Sequence, residues 1–267
     1  MALLATTEHL PHNAGHYAAT RYRIAVATDG ILYIVVLTFA AGLCMPLGGW
    51  IASFERIQRR WLEKEVRHFL IALGGGLLLG AVYEVLLPEG LARFGNSVSA
   101  VLLFVAGGLV VFLLERLLAA RRREAPQLLG MLLDYVPESI ALGGLIATDP
   151  SLALVLAIVI GLQNLPEGFN AYRELAAAGR DSSAKVLSRM SLLTLLGPLA
   201  GLSAYFFLAD LPAVLGAIML LSAGGIVYLM FQDIAPQAHL NRHWAPPLGA
   251  VLGFAFTLLT SLWLGHG

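Results

Sequence analysis

Long apolar runs alternate with short polar segments along the whole chain, and the length of these runs indicates the fold class. A helix needs about 20 mostly apolar residues to cross the hydrocarbon core of a bilayer. Eight runs reach that length, and we predict transmembrane helices at 27–54, 68–88, 98–118, 128–147, 152–172, 187–209, 212–237 and 246–265. The pattern predicts an all-α integral membrane protein with one transmembrane domain over 1–267 and an extracytoplasmic tail at 1–26.

The composition supports this class and excludes others. The chain is 58% hydrophobic and 13% charged, whereas about 25% of the residues of a soluble domain are charged. Its net charge of zero gives no field that would attract nucleic acid. The single cysteine, Cys44, lies inside an apolar run and provides neither a disulfide nor a CxxC metal motif. No basic segment precedes an apolar stretch at the start, so we expect no cleavable signal peptide.

The positions of the basic residues predict the orientation. All but three of the 17 Lys and Arg residues lie in, or at the edges of, the loops that follow spans one, three, five and seven; the exceptions are Arg21, Arg23 and Arg93. Because loops rich in Lys and Arg stay in the cytoplasm, and because the number of spans is even, we expect both termini to be extracytoplasmic.

Two predicted spans carry polar side chains at bilayer depth. The fourth contains Asp134 and Glu138, and the fifth contains Gln163, Asn164 and Glu167. An ionisable side chain at this depth costs about 2.5–3.5 kcal/mol and faces a polar interior. Asp134 and Glu138 are four residues apart, as are Gln163 and Glu167, so each pair shares one helix face.

The prolines and the short loop bring these faces together. Pro137 and Pro166 each precede a glutamate, and a proline inside a helix frees one backbone carbonyl. Such a break is tolerated in a membrane where the backbone lines protein or a water-filled cavity. Three carboxylates in a low dielectric must share protons or bind a cation, and oxygen ligands suit Mg, Mn, Fe(II) and also Zn. The alternative is that these side chains only join helices by hydrogen bonds.

The segment Gln163-Asn164-Leu165-Pro166-Glu167-Gly168 resembles the His-Asn-x-Pro-Glu-Gly motif of the ZIP family of divalent metal transporters. The segment from Asp134 to Ser139 is a weaker copy, and GGGLLLGAVYEVLLPEG and SAGGIVYLMFQDIAPQA are similar to the flanking helices of that family. The resemblance implies eight helices in a 3+2+3 inverted-repeat arrangement, with a metal site between spans four and five. YEVLLPE and FQDIAPQ also resemble each other, as inverted repeats would.

The resemblance also implies roles for individual residues. The implied metal ligands are Asp134, Glu138, Gln163 and Glu167, with Asn164 as a ligand or its support. The implied transport pathway comprises Glu84 near the outer entrance, Asp233 near the inner exit, and Tyr135 and Gln232. Three residues depart from the family pattern: Asp134 replaces a histidine, Tyr135 an asparagine, and Gly197 a glutamate. We therefore expect one metal site instead of two, and an all-oxygen ligand set that favours Mn(II) or Fe(II) while still accepting Zn or Cd.

The expected function is import of a divalent transition metal by alternating access, with no prosthetic group and no enzymatic activity. The short loops are similar to those of a bacterial inner membrane protein. Two histidine groups are candidates for metal capture, namely His9, His12 and His16 in the tail and His239 and His243 at an inner helix end; chance or interfacial placement is the alternative. The sequence leaves open a homodimer, a degenerate relative that senses or binds metal without transport, and an intramembrane metalloenzyme, although HExxH and GxSxG motifs are absent.

Overall fold

A computed structural model describes residues 14–54, 60–120, 126–146, 148–177, 179, 181–238 and 245–263, with the backbone alone at 14–29, 60–64, 118–120 and 126–129. The helices are α1 (Ala14–Phe54), α2 (Arg60–Ala81), α3 (Leu87–Phe94), α4 (Val98–Ala120), α5 (Pro126–Ile146), α6 (Pro150–Ala177), α7 (Ser183–Leu193), α8 (Leu196–Phe207), α9 (Pro212–Leu229), α10 (Ala235–Ala238) and α11 (Pro246–Trp263). Two π-helical segments, Val82–Leu86 and Met230–Ile234, join α2 to α3 and α9 to α10.

The described residues are helical apart from turns and short connections, and no strand occurs among them. Seven helical segments within these ranges are long and apolar enough to cross a membrane: Gly30–Phe54, Glu65–Phe94, Val98–Leu117, Pro150–Ala177, Ser183–Phe207, Pro212–Ala238 and Pro246–Trp263. The prediction of an all-helical fold is confirmed for the described residues, and the seven apolar segments support an integral membrane protein. The fourth predicted span corresponds to α5, which is 21 residues long and is not one of these seven.

Two helices differ from the predicted spans. Helix α1 begins at Ala14, so that residues 14–26, which we predicted as part of a tail, continue the first helix. The predicted span 187–209 is divided into α7 and α8 by a turn at Thr194. The turn precedes Gly197 and Pro198, and a proline cannot donate the backbone hydrogen bond that would continue the helix.

The helices pack in pairs because glycines remove side chains from the contacts. Helix α1 packs on α6, α2 on α11, α4 on α9, and α5 on α8. A Cβ on Gly168 of α6 would overlap the Met45 carbonyl of α1, and a Cβ on Gly48 of α1 would overlap the Leu165 carbonyl of α6. Small residues at such positions let membrane helices approach closely. Helix α6 is the central element, since 72% of its most apolar stretch is buried, against 11% for the span in α4.

The turn between α6 and α7 is held by ion pairs. Asp181 accepts from Lys185 Nζ at 2.6 Å and also pairs with Arg189. The hydrogen bond from Lys185 holds the pKa of Asp181 below its ordinary value. Because these groups are close to water, the pairs fix the turn geometry more than they stabilise the fold.

Candidate metal centre

Helices α5 and α6 are antiparallel neighbours because the connection between them is short and capped. Thr148 N and Asp149 N both donate to the Leu145 carbonyl, at 2.9 and 2.7 Å, and close the end of α5. Asp149 Oδ1 accepts from Leu152 N at 2.9 Å, which is the N-cap bond that starts a helix. The reversal places the polar face of α5 against the polar face of α6.

Two amide side chains tie this pair together and to α1. Gln163 Nε2 of α6 donates to Glu138 Oε2 of α5 at 2.7 Å. Asn164 Nδ2 donates to the Ala41 carbonyl of α1 at 3.1 Å. The amide nitrogens of Gln163 and Asn164 both donate hydrogen bonds. The Gln163 amide oxygen is left as an acceptor near the Glu138 carboxylate.

Several buried oxygens at this place have no hydrogen-bond partner among the residues that the structure describes. They are Asp134 Oδ1, Glu138 Oε1, Gln163 Oε1, both carboxylate oxygens of Glu167, and Asn170 Oδ1. Most buried polar atoms in proteins are hydrogen-bonded, and each exception requires an explanation. Acceptor oxygens that face one another in a buried place form an environment that a cation or protons can satisfy.

A cavity opens beside these oxygens. Its polar lining consists of Asp134, Glu167, Asn170 and Asp233, and its backbone-rich wall includes Gly74, Gly75 and Gly130. A Cβ on Gly130 would lie 3.9 Å from Asp233 Oδ2, so the Asp233 carboxylate lies over the helical turn that precedes Asp134. The cavity volume of about 40 Å³ is enough for a few water molecules or a monatomic ion.

The carboxylates interact electrostatically. Glu138 and Glu167 both lie within range of Asp134, and Asp134 lies within range of Asp233. In a low dielectric these negative charges repel one another strongly unless a cation or protons are present. The described residues contain no compact group of three His, Cys, Asp or Glu side chains. Amide side chains accompany the carboxylates instead, since Gln163 contacts Glu138 and Asn170 lines the cavity with Asp134 and Glu167.

The structure brings most of the predicted ligands together. Asp134, Glu138, Gln163 and Asn164 are buried, and Glu167 is half-buried with both carboxylate oxygens inside. Glu138 and Gln163 lie at the contact of α5 and α6, and Asp134 and Glu167 line the cavity together with Asp233. Asn164 instead contacts α1 through the Ala41 carbonyl. Their role as metal ligands stays a prediction.

The other predicted pathway residues lie elsewhere. Glu84 is half-buried in the first π segment and does not line the cavity. Gln232 is exposed in the second π segment, although its neighbour Asp233 turns inward. Tyr135 is fully buried, but its ring contacts α1 and α8 instead of the cavity. His9, His12, His239 and His243 lie outside the described residues, and for His16 only the backbone in α1 is described.

Asn170 is a site residue that the sequence interpretation missed. It is 4% exposed, its Oδ1 has no hydrogen-bond partner in the described structure, and it lines the cavity with Glu167. Asn170 follows Glu167 by three residues and Gln163 by seven, which is the spacing of one helix face. That periodicity was a usable signal, but the family motif ends at Gly168.

The donor set suits a divalent cation. The cavity lining contains carboxylate and amide oxygens, with neither histidine nor cysteine among its described residues, and oxygen ligands fit Mn(II), Fe(II) and Zn(II) in that environment. Comparison with protein-family models gave no match, and comparison with curated protein sequences gave no significant match.

Proposed function

We propose that the protein imports a divalent transition-metal cation, of the Zn, Mn or Fe class, through a single site between α5 and α6. One observation carries this proposal: in the described structure, buried carboxylate and amide oxygens of α5 and α6 have no hydrogen-bond partner, and Asp134, Glu167 and Asn170 line one cavity. If these polar residues only joined helices, their acceptor oxygens would accept hydrogen bonds from neighbouring side chains, as one Glu138 oxygen does from Gln163 Nε2. The divalent cation binds these oxygens in place of water and is released to water again, and it is therefore the transported substrate.

The transporter has eight spans, with α5 as the fourth, and lies in a bacterial inner membrane with both termini outside. The Lys and Arg asymmetry between alternate loops supports this orientation. Helix α5 is 21 residues long, which is sufficient to cross a bilayer core.

The first three and the last three spans form inverted repeats around α5 and α6. The packing partners support this arrangement, because α1 packs on α6 as α8 packs on α5, and α4 packs on α9 as α11 packs on α2. The two π segments occupy equivalent positions, since a proline is the second residue after each, Pro88 in one and Pro236 in the other. Transporters built from such repeats bind substrate where the repeats meet.

Alternating access follows from movement between two groups of helices. Helices α1, α5, α6 and α8 form one packed group. Helices α2, α3, α4, α9 and α11 form the second, in which α3 continues α2 and packs on α9. The metal enters past Glu84, loses water, and binds between α5 and α6. Movement of one group against the other then exposes it towards Asp233, which lines the cavity and, in the proposed orientation, lies on the cytoplasmic side of the site.

A tie on the extracytoplasmic side joins the two groups in this conformation. Arg93 of α3 pairs with Glu89 at 3.0 Å and donates through Nη2 to Thr148 Oγ1, in the α5–α6 turn, at 2.6 Å. The Arg93 side chain is 13% exposed but Thr148 lies at the surface, so this charge-assisted bond is in contact with water and can break and re-form. We infer that this tie keeps the outer side closed and must break in each transport cycle.

We expect Arg93→Ala to lower KM for external metal by roughly 3- to 10-fold, because a larger fraction of the protein is then open to the outside. Initial uptake rates as a function of metal concentration measure this. Arg116→Ala removes an exposed arginine of α4 and serves as the control, for which KM is expected to stay unchanged. An unchanged KM in Arg93→Ala would show that the tie persists throughout transport.

The test of the proposed function is metal uptake into proteoliposomes that contain the purified protein. We expect saturable uptake of Mn(II), Fe(II), Zn(II) or Cd(II) above that of empty liposomes, and competition between these metals ranks them. Uptake equal to that of empty liposomes for all four metals, with tight binding retained, would favour a protein that binds metal without transporting it. Absence of both uptake and binding would refute the site.

A further inference from the structure

The polar residues of α5 and α6 lie at successive levels along the axis of this helix pair. Glu138 and Gln163 meet at the first level, where Gln163 Nε2 donates to Glu138 Oε2. Because the two helices are antiparallel, four residues back along α5 and four residues forward along α6 lead to the same second level, about 6 Å away. The residues at this second level are Asp134 and Glu167.

The third level has a polar side chain on one helix only. Its α6 residue is Asn170, three residues after Glu167, and the corresponding residue of α5 is Gly130. Since Gly130 has no side chain, Asp233 of the second π segment can approach α5 here, and its Oδ2 would lie 3.9 Å from a Cβ on Gly130. The third level therefore combines an amide from one helix group with a carboxylate from the other.

Asn170 has a buried acceptor oxygen that no protein donor satisfies in the described structure. Its side chain is 4% exposed, its Oδ1 has no hydrogen-bond partner there, and it lines the cavity. Burial of an amide oxygen without a donor costs free energy, and contact with a cation would offset this cost. Asn164 differs, because its amide binds the Ala41 carbonyl of α1.

We propose that Asn170 is a ligand of the transported cation at the third level, which is the cytoplasmic end of the site in the proposed orientation. Its Oδ1 binds the cation together with the carboxylates that line the same cavity, namely Asp134, Glu167 and Asp233. This inference rests on the proposed function, because it assigns a further residue to the same site. An amide oxygen contacts the cation without adding a negative charge, and metal affinity depends on the number of charged ligands. Asn170 thus binds the cation weakly enough to release it.

The experiment measures the affinity of the purified protein for Mn(II) and for Zn(II) in variants of Asn170. Asn170→Leu keeps the approximate size and removes the oxygen, and we expect the affinity for both metals to fall by roughly 10-fold. Asn170→Asp keeps an oxygen at the same place and should bind both metals at least as tightly as wild type. The matched control is Ser222→Ala, which removes a buried hydroxyl of α9 that donates to the Ile218 carbonyl of its own helix at 2.7 Å. This control should change neither affinity.

Asn170→His tests direct contact with the metal. An imidazole suits Zn(II) better than Mn(II), so the ratio of the Zn(II) affinity to the Mn(II) affinity should rise by roughly 10-fold. X-ray absorption of the Zn(II)-loaded variant should also show an imidazole bound to the metal. A residue that only supported the packing of α6 would change neither the ratio nor the spectrum.

The outcomes separate this inference from the function on which it rests. Wild-type affinities in Asn170→Leu, or an equal loss in Asn170→Leu and Asn170→Asp, overturn the assignment of Asn170 while the proposed site stands. An unchanged metal ratio in Asn170→His also overturns it, and this measurement decides if the leucine variant does not fold. Absence of both Mn(II) and Zn(II) binding in the wild-type protein refutes the proposed site itself.

Discussion

Glu167→Gln is expected to weaken metal binding by at least about 100-fold, or about 2.7 kcal/mol, and to abolish uptake at micromolar metal. Both carboxylate oxygens of Glu167 are buried without a hydrogen-bond partner in the described structure, and the side chain lines the cavity. Glutamine keeps the shape but removes the negative charge and one acceptor oxygen. The measurement is Cd(II) or Mn(II) titration of purified protein, together with uptake into proteoliposomes.

The same substitution should leave the metal-free protein at least as stable as wild type. Glu167 lies within electrostatic range of Asp134 and Glu138, so loss of its charge relieves repulsion in a low dielectric. A residue that served only to hold helices together would show the opposite result, since its removal would lower Tm. The matched control is Asp210→Asn, which removes an exposed carboxylate from the short loop before α9 and should change neither binding nor Tm.

Gly168→Ala is expected to destabilise the protein by about 2 kcal/mol or more, because the added methyl group overlaps the Met45 backbone carbonyl of α1. Alanine favours a helix over glycine by about 1 kcal/mol, but a carbonyl inside a packed helix cannot move aside as a flexible side chain can. Separation of α1 from α6 also moves Asn164 away from the Ala41 carbonyl. Thermal unfolding in detergent, followed by tryptophan fluorescence, measures the change.

Gly161→Ala provides the matched comparison, because it lies in the same helix and faces the same neighbour. A Cβ on Gly161 would lie 3.4 Å from Cys44 Sγ and 3.6 Å from Ala41 Cα, which are ordinary contact distances. The higher helix propensity of alanine should then leave stability unchanged or slightly improved. Equal Tm values for the two variants would contradict the close contact of α1 and α6 at Gly168.

The apolar spans and the two Pro-Glu units were predictable because each depends on local sequence. Length and hydropathy alone indicate a membrane helix, and a four-residue spacing places Asp134 beside Glu138 whatever surrounds them. The short loop between the fourth and fifth spans also made their contact predictable. The cavity brings Asp134, Glu167 and Asp233 to one place, as the proposed pathway required of Asp233.

The remaining features depend on contacts between residues far apart in the chain. Tyr135 and Gly197 were each recognised as departures from a family pattern, yet nothing in the sequence indicates that one fills the space beside the other. The tie from Arg93 to Thr148 likewise joins residues 55 positions apart. The turn at Thr194 could have been anticipated from Gly197 and Pro198, but a high average hydropathy concealed it within one predicted span.

The two π segments each accommodate one residue more than a regular α-helix would hold over the same turn. In a regular α-helix, removal of one residue turns everything that follows by about 100°. Loss of one codon within 82–86 would instead restore α winding and leave α3 close to its present orientation, with Arg93 still near Thr148. The same loss inside α3, before Arg93, would turn the Arg93 side chain away from Thr148. In the gene, a one-codon loss within these ten codons is therefore less disruptive than the same loss in the neighbouring α-helices.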